Sequence, residues 1–171
     1  MKRFILAFFI LAAPVAAGVS AWPALAGAIN TFNDWSAFAE SEGGQNVCYI
    51  GSTPKTQSGK YKNRGEAYVL VTHRPADKTR AVVSVKAGYT YKKGTEVQIN
   101  IDSERFTLFT DQDHAWAFDA DGDRKLVAAM KAGTRMIVTG ISDKGSRTTD
   151  TYSLSGFTAA FNAIGRACPA K

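Results

Sequence analysis

The middle of this chain of 171 residues alternates between apolar and polar side chains with a period of two. The alternating stretches are residues 81–87, 97–101 and 106–108, in which Ala, Val, Ile, Phe or Leu fills every second position. Because successive side chains of a strand point to opposite faces, this pattern indicates strands with one buried face. Residues 66–72 are apolar on both faces and indicate a central strand. The chain is therefore predicted to be mainly β, with an antiparallel sandwich or barrel favoured over βαβ units.

Further strands are predicted from runs that contain β-branched or aromatic residues, at 32–39, 46–51, 135–142 and 149–154. Turns that contain Gly or Pro separate the strands, at 42–44, 58–60, 74–77, 92–94 and 143–145. Many short strands with turns at this spacing are typical of one β domain, and the chain is too short for two ordinary domains.

Two helices are predicted to interrupt the strands. The first covers residues 123–132, with Asp121 or Asp123 as its N-cap and Gly133 as its C′ residue. The second begins after Ser155, a candidate N-cap, and its apolar residues recur at helical spacing. Those residues are Phe157, Ala160, Phe161, Ile164 and Cys168. The last cysteine is therefore predicted to face the core.

The first 26 residues have the composition of a secretory signal peptide. Lys2 and Arg3 precede an apolar run over residues 4–13, and residues 24–26 (Ala-Leu-Ala) supply a cleavage site. The apolar run is short for a membrane span of roughly 20 residues, which disfavours a retained anchor. We predict cleavage after this site, a single β-sandwich domain over residues 27–171 and no later transmembrane segment. The exported part keeps 19 basic and 15 acidic residues, and this net charge of +4 disfavours a nucleic-acid partner.

Cys48 and Cys168 are the two cysteines of the chain. With 45% hydrophobic and 21% charged residues the chain is not disordered, and two cysteines are too few for a disulfide-dense scaffold or a four-Cys zinc site. In an oxidising compartment a structural disulfide between them is favoured, for which chain entropy allows about 4–5 kcal/mol. A redox-active pair is disfavoured because no Cys-x-x-Cys is present.

No arrangement of residues indicates an active site, a cofactor or a metal ion strongly. His73 and His114 lie in different segments, and we interpret His114 as part of a solvated turn. Residues 119–123 (Asp-Ala-Asp-Gly-Asp) look like the start of a calcium loop, but Arg124 and Met130 occupy the positions that need Gly and Glu. A Gly-x-Ser-x-Gly elbow is absent. We therefore assign no catalytic, cofactor-binding or metal-ligating residues.

Two loops combine basic with aromatic residues and form the candidate surface for an anionic partner. The residues of this surface are Lys55, Lys60, Tyr61, Lys62, Arg64, Tyr89, Tyr91, Lys92 and Lys93. Such clusters bind phosphate, sulfated glycan or an anionic lipid headgroup. The alternative is a solubilising loop and an edge strand protected by Lys.

Short motifs follow one another in a specific order along nearly the whole exported part. They are 47–50 (Val-Cys-Tyr-Ile), 53–55 (Thr-Pro-Lys), 71–75 (Val-Thr-His-Arg-Pro), 87–89 (Ala-Gly-Tyr), 106–109 (Phe-Thr-Leu-Phe), 115–117 (Ala-Trp-Ala), 129–133 (Ala-Met-Lys-Ala-Gly), 149–157 (Thr-Asp-Thr-Tyr-Ser-Leu-Ser-Gly-Phe) and 167–168 (Ala-Cys). In this order the chain resembles the invasion-associated locus B family, and Trp35 also fits the family's Trp before the first Cys.

The resemblance implies a signal-bearing periplasmic or cell-envelope protein of Gram-negative bacteria, with an immunoglobulin-like antiparallel β-sandwich and an association with host-cell entry. It brings no catalytic residue and no cofactor. The family motif positions that look structural are Trp35, Cys48, Trp116, Gly133, Gly156 and Cys168.

We therefore expect a non-enzymatic binding or envelope-interaction module. Its expected location is the periplasm, and the alternatives are association with the outer membrane or secretion. Its partner is expected to be a protein, a glycan or an anionic lipid of the envelope or host surface. The first alternative is a passive periplasmic structural or stress-resistance protein. The second and more remote alternative is a hydrolase that uses His73 or His114.

Overall fold

The structure is a computed structural model that describes residues 27–61 and 63–169. The predicted signal peptide and Lys62 lie outside the described residues. The described part contains eleven strands and two α-helices. The first six strands are β1 Ala28–Phe32, β2 Trp35–Glu42, β3 Gln45–Ser52, β4 Thr56–Gly59, β5 Tyr68–Arg74 and β6 Thr79–Lys86. The remaining elements are β7 Val97–Ile101, β8 Glu104–Asp111, β9 His114–Trp116, α1 Ala120–Ala132, β10 Arg135–Ile141, β11 Arg147–Ser153 and α2 Phe157–Ala167.

The strands pair antiparallel throughout, in the order β1-β2-β3-β5-β6-β9-β8-β7-β10-β11-β4. Strand β8 belongs to both layers, because residues 109–111 pair with β9 and residues 104–108 pair with β7. The first sheet therefore runs from β1 to β9 and the second from β7 to β4. The predicted mainly β antiparallel sandwich with two helices is confirmed.

The inner face of the first sheet follows the alternation in the sequence. Val69 and Val71 of β5 lie opposite Val85 and Val83 of β6, and Ala115 of β9 continues the row beside Val85. All five side chains are buried in one hydrophobic core. Burial of one such valine stabilises the fold by roughly 1.5–3 kcal/mol, so the valine pairs fix which face of the sheet points inward.

Helix α2 covers one end of this inner face, as its apolar spacing predicted. Phe157 and Ile164 are fully buried, and Phe157 meets the buried Trp35 ring edge to face at 4.9 Å. The predicted N-cap Ser155 is wrong, because Gly156 takes that position with φ 90°. A side chain on Gly156 would collide with the carbonyl of Phe32 in β1. The tight approach of the two segments therefore requires glycine, both for the left-handed backbone and for space.

Helix α1 begins three residues earlier than predicted. Asp119 is its N-cap, and its carboxylate accepts the backbone N–H of Gly122 at 2.7 Å. Asp121 and Asp123 therefore lie inside the first turn, where acids favour the positive end of the helix dipole. Gly133 is the C-cap of the helix and not its C′ residue, and its φ of −81° is one that any residue can adopt, so the predicted C′ position is wrong. Glycine is needed at this position because a Cβ would overlap the Ile101 side chain.

Three strand predictions also need correction. The predicted strand over residues 32–39 is split by a turn at Asn33, where φ is 50°, into β1 and β2. Strand β4 was missed, because its four exposed residues lie at a sheet edge and carry no apolar alternation. His114 belongs to β9, between β6 and β8, and not to a solvated turn. Pairing with two neighbours specifies this three-residue strand, which is too short to show a period of its own.

A cysteine cluster joins α2 to the first sheet. Cys48 of β3 and Cys168, directly after α2, lie with their sulfurs at bonding distance and their Cα atoms 6.0 Å apart. A Cα separation of this size is usual for a disulfide. Trp35 donates its indole N–H to the carbonyl of Ser153 at 3.0 Å, and Arg80 donates to the carbonyl of Cys168 at 2.9 Å. Cys168 is thereby held against β3, which lies 120 residues earlier, and against β6, which lies 88 residues earlier.

Candidate functional site

A cavity of about 430 Å³ lies between the segment that follows β4 and the turn that joins β10 to β11. Pairing of β4 with β11 places Gly59 opposite Thr148 and so brings the two segments together. The residues that line this loop cavity are Lys60, Tyr61, Asn63, Tyr89, Ser142, Asp143, Lys144, Ser146 and Thr148. Three segments that are distant in sequence therefore contribute to one concave surface.

A buried ion pair fixes the segment beside the cavity. The Arg64 guanidinium donates to both carboxylate oxygens of Asp150 in β11, one of them at 2.7 Å, and the two side chains are 3% and 4% exposed. Arg64 also donates from Nε to the carbonyl of Ala87 at 2.7 Å. Burial opposes the charge of Arg64, but the hydrogen bond and charge of Asp150 outweigh burial and raise the pKa of Arg64. The pair anchors the loop by a bidentate contact, which fixes orientation as well as distance.

Aromatic rings surround the guanidinium of Arg64. It lies over the Tyr61 ring at 5.3 Å and over the Tyr89 ring at 5.2 Å, both within the range of cation–π attraction. The Tyr89 hydroxyl shares a hydrogen bond with Thr148, and burial raises the Tyr89 pKa. Tyr89 therefore remains a neutral phenol at physiological pH. Exposed Tyr61 and half-buried Tyr89 give the cavity an aromatic wall above a fixed charge.

The predicted surface for an anionic partner is brought together only in part. Lys60 and Tyr61 are exposed at the cavity, and Tyr89 lines it. Arg64 and Tyr91 are buried, so they support the cavity from beneath and do not form a contact surface. This corrects the sequence-based assignment, in which charge and aromaticity alone could not show that Asp150 takes up the arginine.

The other predicted lysines differ in position. Lys55 precedes β4, at the opposite end from Lys60, and its ammonium lies 2.7 Å from the Asp34 carboxylate. Lys92 and Lys93 are exposed in the turn after Tyr91, and the backbone N–H of Lys92 donates to the carbonyl of Ile141. The turn that holds this lysine pair is thus attached beside the β10–β11 turn, while Lys55 is not part of the cavity.

Sequence reasoning missed the contribution of the β10–β11 turn. Asp143 and Lys144 were interpreted only as a turn, and Ser146 and Thr148 were assigned to no site. The signal that could have found them is the polar and charged character of the turn itself. The sequence near the turn does not indicate that it faces residues 60–63, because the two segments are about eighty positions apart and are brought together by tertiary pairing of β4 with β11.

The two histidines have different environments. His73 is fully buried, accepts the backbone N–H of Ala81 on Nδ1 at 3.0 Å and meets the Phe161 ring edge to face. Burial lowers its pKa, so it is a neutral core residue without access for a substrate. His114 is partly exposed, with Nδ1 2.7 Å from the Asp113 carboxylate.

The described ranges contain neither a cluster of metal-binding side chains nor a helix that could span a membrane. Among residues 27–61 and 63–169, no group of three or more His, Cys, Asp or Glu side chains is placed to hold a metal ion. The calcium-like motif at 119–123 forms the start of α1, with Asp119 as its cap. No helix within these ranges has the length and apolarity to cross a membrane.

These features define a class of protein, a small antiparallel β-sandwich whose C-terminal helix meets β3 through a buried cysteine pair. The chain belongs to the Invasion associated locus B family, whose sequence profile matches residues 35–165. Its structure is similar to the crystal structure of invasion associated protein B from Bartonella henselae, with a TM-score of 0.53. The two are 18% identical, over 81% of this chain and 95% of that one, so the likeness shows the fold. No curated protein matches the sequence.

Proposed function

We propose that this chain is an exported envelope protein that binds an anionic group in the loop cavity and catalyses no reaction. The observation that carries the proposal is the concave lining of Lys60 and Lys144 beside an aromatic wall. Neither lysine forms an ion pair with another residue in the described ranges. Both ammonium groups are therefore available to a partner that carries carboxylate, sulfate or phosphate.

The shape of the site favours a small anionic head group over a broad charged surface. Its two lysines are accompanied by the Asp143 carboxylate and by hydroxyl groups of Ser146 and Thr148. Hydroxyls and an aromatic wall suit a saccharide that carries acidic groups, because its ring can pack on Tyr61 while its hydroxyls form hydrogen bonds. An anionic lipid headgroup offers the same charge and is the second source of this chemistry.

Export is supported by the leader-like sequence and by the cysteine pair. Disulfides persist in oxidising compartments, so the approach of Cys48 and Cys168 favours a periplasmic or extracellular site of action. Membership of this family and similarity to the invasion associated protein of Bartonella henselae support a role in host-cell entry as part of this proposal. The protein is purified from the periplasm and alkylated with and without reductant. Its intact mass then tests both the disulfide and the removal of residues 1–26. Two free thiols, or a chain that retains residues 1–26, would contradict this part.

The binding test compares two double variants that lose the same charge. In Lys60→Gln/Lys144→Gln both cavity cations are removed, and binding of a heparin-derived disaccharide should weaken roughly tenfold or more. The matched control is Lys78→Gln/Lys125→Gln, with one exposed lysine at the far end of β5 and one on α1. The control should bind like the wild type. Calorimetry at two salt concentrations measures both, and wild-type binding should weaken as salt increases.

Two results would overturn the proposal, and one identifies the source of the anionic group. Vesicles that contain phosphatidylglycerol should compete if the natural group is a lipid headgroup and should not compete if it is a saccharide. Equal loss in both double variants would show nonspecific charge attraction. An absence of wild-type binding to disaccharide and vesicles would favour the alternative, a passive structural or stress-resistance protein.

A further inference from the structure

Four aromatic rings lie in contact on β8, β9 and the loop that follows β9. The His114 ring stacks on Trp116 with centroids 5.5 Å apart, Trp116 meets Phe109 at 5.8 Å, and Phe109 meets Phe118 at 5.6 Å. Phe109 and Trp116 are direct partners across the β8–β9 ladder. We call these four residues the aromatic ribbon. It is a surface distinct from the loop cavity, and none of its residues lines that cavity.

The ribbon does not belong to the hydrophobic core. Phe118 is 62% exposed and Phe109 is 37% exposed, whereas their neighbours Leu108 and Ala115 point to the opposite face and are buried. The Trp116 and His114 rings are half-buried. Isolated exposed apolar residues are ordinary, but a contiguous row of exposed and half-buried rings is a feature of binding surfaces. Core packing therefore does not explain why these rings lie in line.

A cleft with charged residues in its lining lies next to each end of the ribbon. Beyond Phe118 a cleft of about 260 Å³ includes Asp119, Asp121 and Lys125 in its lining. Beyond His114, the neighbouring Asp113 belongs to a second cleft of about 450 Å³. Other residues in the lining of this second cleft are Glu66, Lys86 and Gln112. A stacked centre between two clefts that each carry carboxylates fits an elongated ligand better than a compact one.

The charges at the two clefts indicate the polarity of that ligand. Lys86 lies 3.6 Å from the Asp113 carboxylate, and Lys125 lies 2.7 Å from Asp121. Both lysines are thus already paired, and Asp121 also pairs with Arg124, so the lysines in the lining offer no uncompensated cation to an anionic polymer or lipid headgroup. The carboxylates of the lining offer acceptors to a ligand rich in hydroxyl donors.

We propose that the aromatic ribbon binds a neutral oligosaccharide, with successive sugar rings on Trp116, Phe109 and Phe118. The C–H face of a pyranose carries partial positive charge and packs on the negative face of an aromatic ring. Sugar hydroxyls then donate to the carboxylates of the two clefts. A rigid strand pair holds the rings in place before binding, which lowers the entropy that the ligand must overcome.

Tryptophan fluorescence gives a direct readout, because the described part of the chain holds Trp35 in the core and Trp116 in the ribbon. The wild type is titrated with three neutral hexasaccharides, namely cellohexaose, chitohexaose and mannohexaose. At least one should change the emission of Trp116 and bind with a Kd near or below about 1 mM. The Trp116→Phe variant should lose the fluorescence change while calorimetry still detects binding.

Two further variants separate the ribbon from the loop cavity. Phe118→Ser should weaken hexasaccharide binding roughly twofold to tenfold, because an aromatic stacking contact contributes about 0.5–1.5 kcal/mol beyond area burial. Phe118 is exposed, so this change should leave thermal unfolding unaltered. Tyr61→Ser, at an exposed aromatic of the loop cavity, should leave hexasaccharide binding unchanged. The proposal for the aromatic ribbon and the proposal for the loop cavity can therefore be supported or contradicted independently.

Three outcomes would overturn the proposal. The first is that none of the three hexasaccharides binds the wild type. The second is equal weakening by Phe118→Ser and Tyr61→Ser. The third is selective binding of an apolar peptide, tested with a Leu- and Pro-rich decapeptide, that Phe118→Ser abolishes while no sugar competes. That result would assign the ribbon to a protein partner.

Discussion

Two buried clusters join distant parts of this chain by different physical means. The cysteine cluster connects β3 to the end of α2 across 120 positions, and at the opposite end of α2 Phe157 packs against Trp35. The ion-pair cluster connects Arg64 to Asp150 across 86 positions and is surrounded by tyrosines. The first cluster relies on sulfur and apolar packing, while the second relies on charge and hydrogen bonds.

The difference separates stability from the position of a site. Replacing a buried ion pair by apolar residues of similar size is often neutral or stabilising, so such a pair is weak evidence for stability as such. Its bidentate geometry does fix the segment that carries Lys60 and Tyr61 beside the loop cavity. The cysteine cluster contributes no residue to that cavity. We infer that the two clusters can be broken separately, with different consequences.

The largest expected effect comes from the cysteine cluster. Cys48→Ser/Cys168→Ser should lower the free energy of unfolding by at most about 4–5 kcal/mol, because the unfolded chain regains the freedom of a long loop. The melting temperature should then fall by about 10 °C. Binding at the loop cavity should persist well below the new melting temperature. Thermal unfolding and calorimetry test the two expectations, and reductant added to the wild type should reproduce the first.

The ion-pair cluster should show a smaller loss with a different pattern. Arg64→Met leaves the buried Asp150 carboxylate without its partner and should cost about 3 kcal/mol. Arg64→Met/Asp150→Leu removes both charges and should regain most of that stability. The double variant should nevertheless bind the heparin-derived disaccharide more weakly than wild type, because the loop loses its anchor. A stable double variant with wild-type affinity would show that the ion pair does not position the site.

Removal of a single hydrogen-bonding group near either cluster should change the free energy of unfolding by about 1 kcal/mol. The buried hydroxyl of Tyr152 has no hydrogen-bond partner among the described residues, so Tyr152→Phe should leave stability unchanged or raise it by about 1 kcal/mol. Trp35→Phe removes the indole donor to Ser153 and should be destabilising by about 1–2 kcal/mol. Urea unfolding of both variants would contradict this contrast if Tyr152→Phe were the more damaging.

The smallest expected effect is a change in pH dependence at His73. Burial holds the pKa of folded His73 below the value of about 6.5 expected in the unfolded chain. The unfolded state therefore binds the proton first, and stability should decrease as pH falls below about 6.5 and continue to decrease to the folded pKa. His73→Gln keeps an acceptor for the Ala81 N–H and should flatten this slope. Urea midpoints between pH 5 and 7 measure it, and an identical slope in both proteins would contradict the assignment.

Much of the fold was predictable because a buried face produces a periodic pattern of apolar residues in the local sequence. Alternation over residues 81–87 and 97–101 and the spacing of Phe157, Ile164 and Cys168 all reflect one buried face. Strand β4 has no such pattern, since its side chains are exposed at an edge. Its register with β11 is a tertiary property, and it is this register that assembles the loop cavity.

Composition therefore predicted some residues of the candidate site, but it did not predict how the site is arranged in space. Lys60 and Tyr61 were found because basic and aromatic residues recur together in one loop. Lys144 was missed because its neighbours indicate only a turn, and Arg64 was misplaced because its partner Asp150 lies in another strand. The aromatic ribbon has a partial signal in the spacing of His114, Trp116 and Phe118. Its fourth ring, on β8, joins only through cross-strand pairing.

The position of Cys168 also determines how the molecule would respond to mechanical tension. Once its sulfur is bonded to Cys48, a pull on the end of the chain passes into the middle of the first sheet and bypasses α2. The load then acts on β3, which is paired on one side with β2 and on the other with β5. Without that bond the same pull would peel α2 from β2 first. A domain attached by its end to a surface under flow would thus yield in a different order in its oxidised and reduced forms.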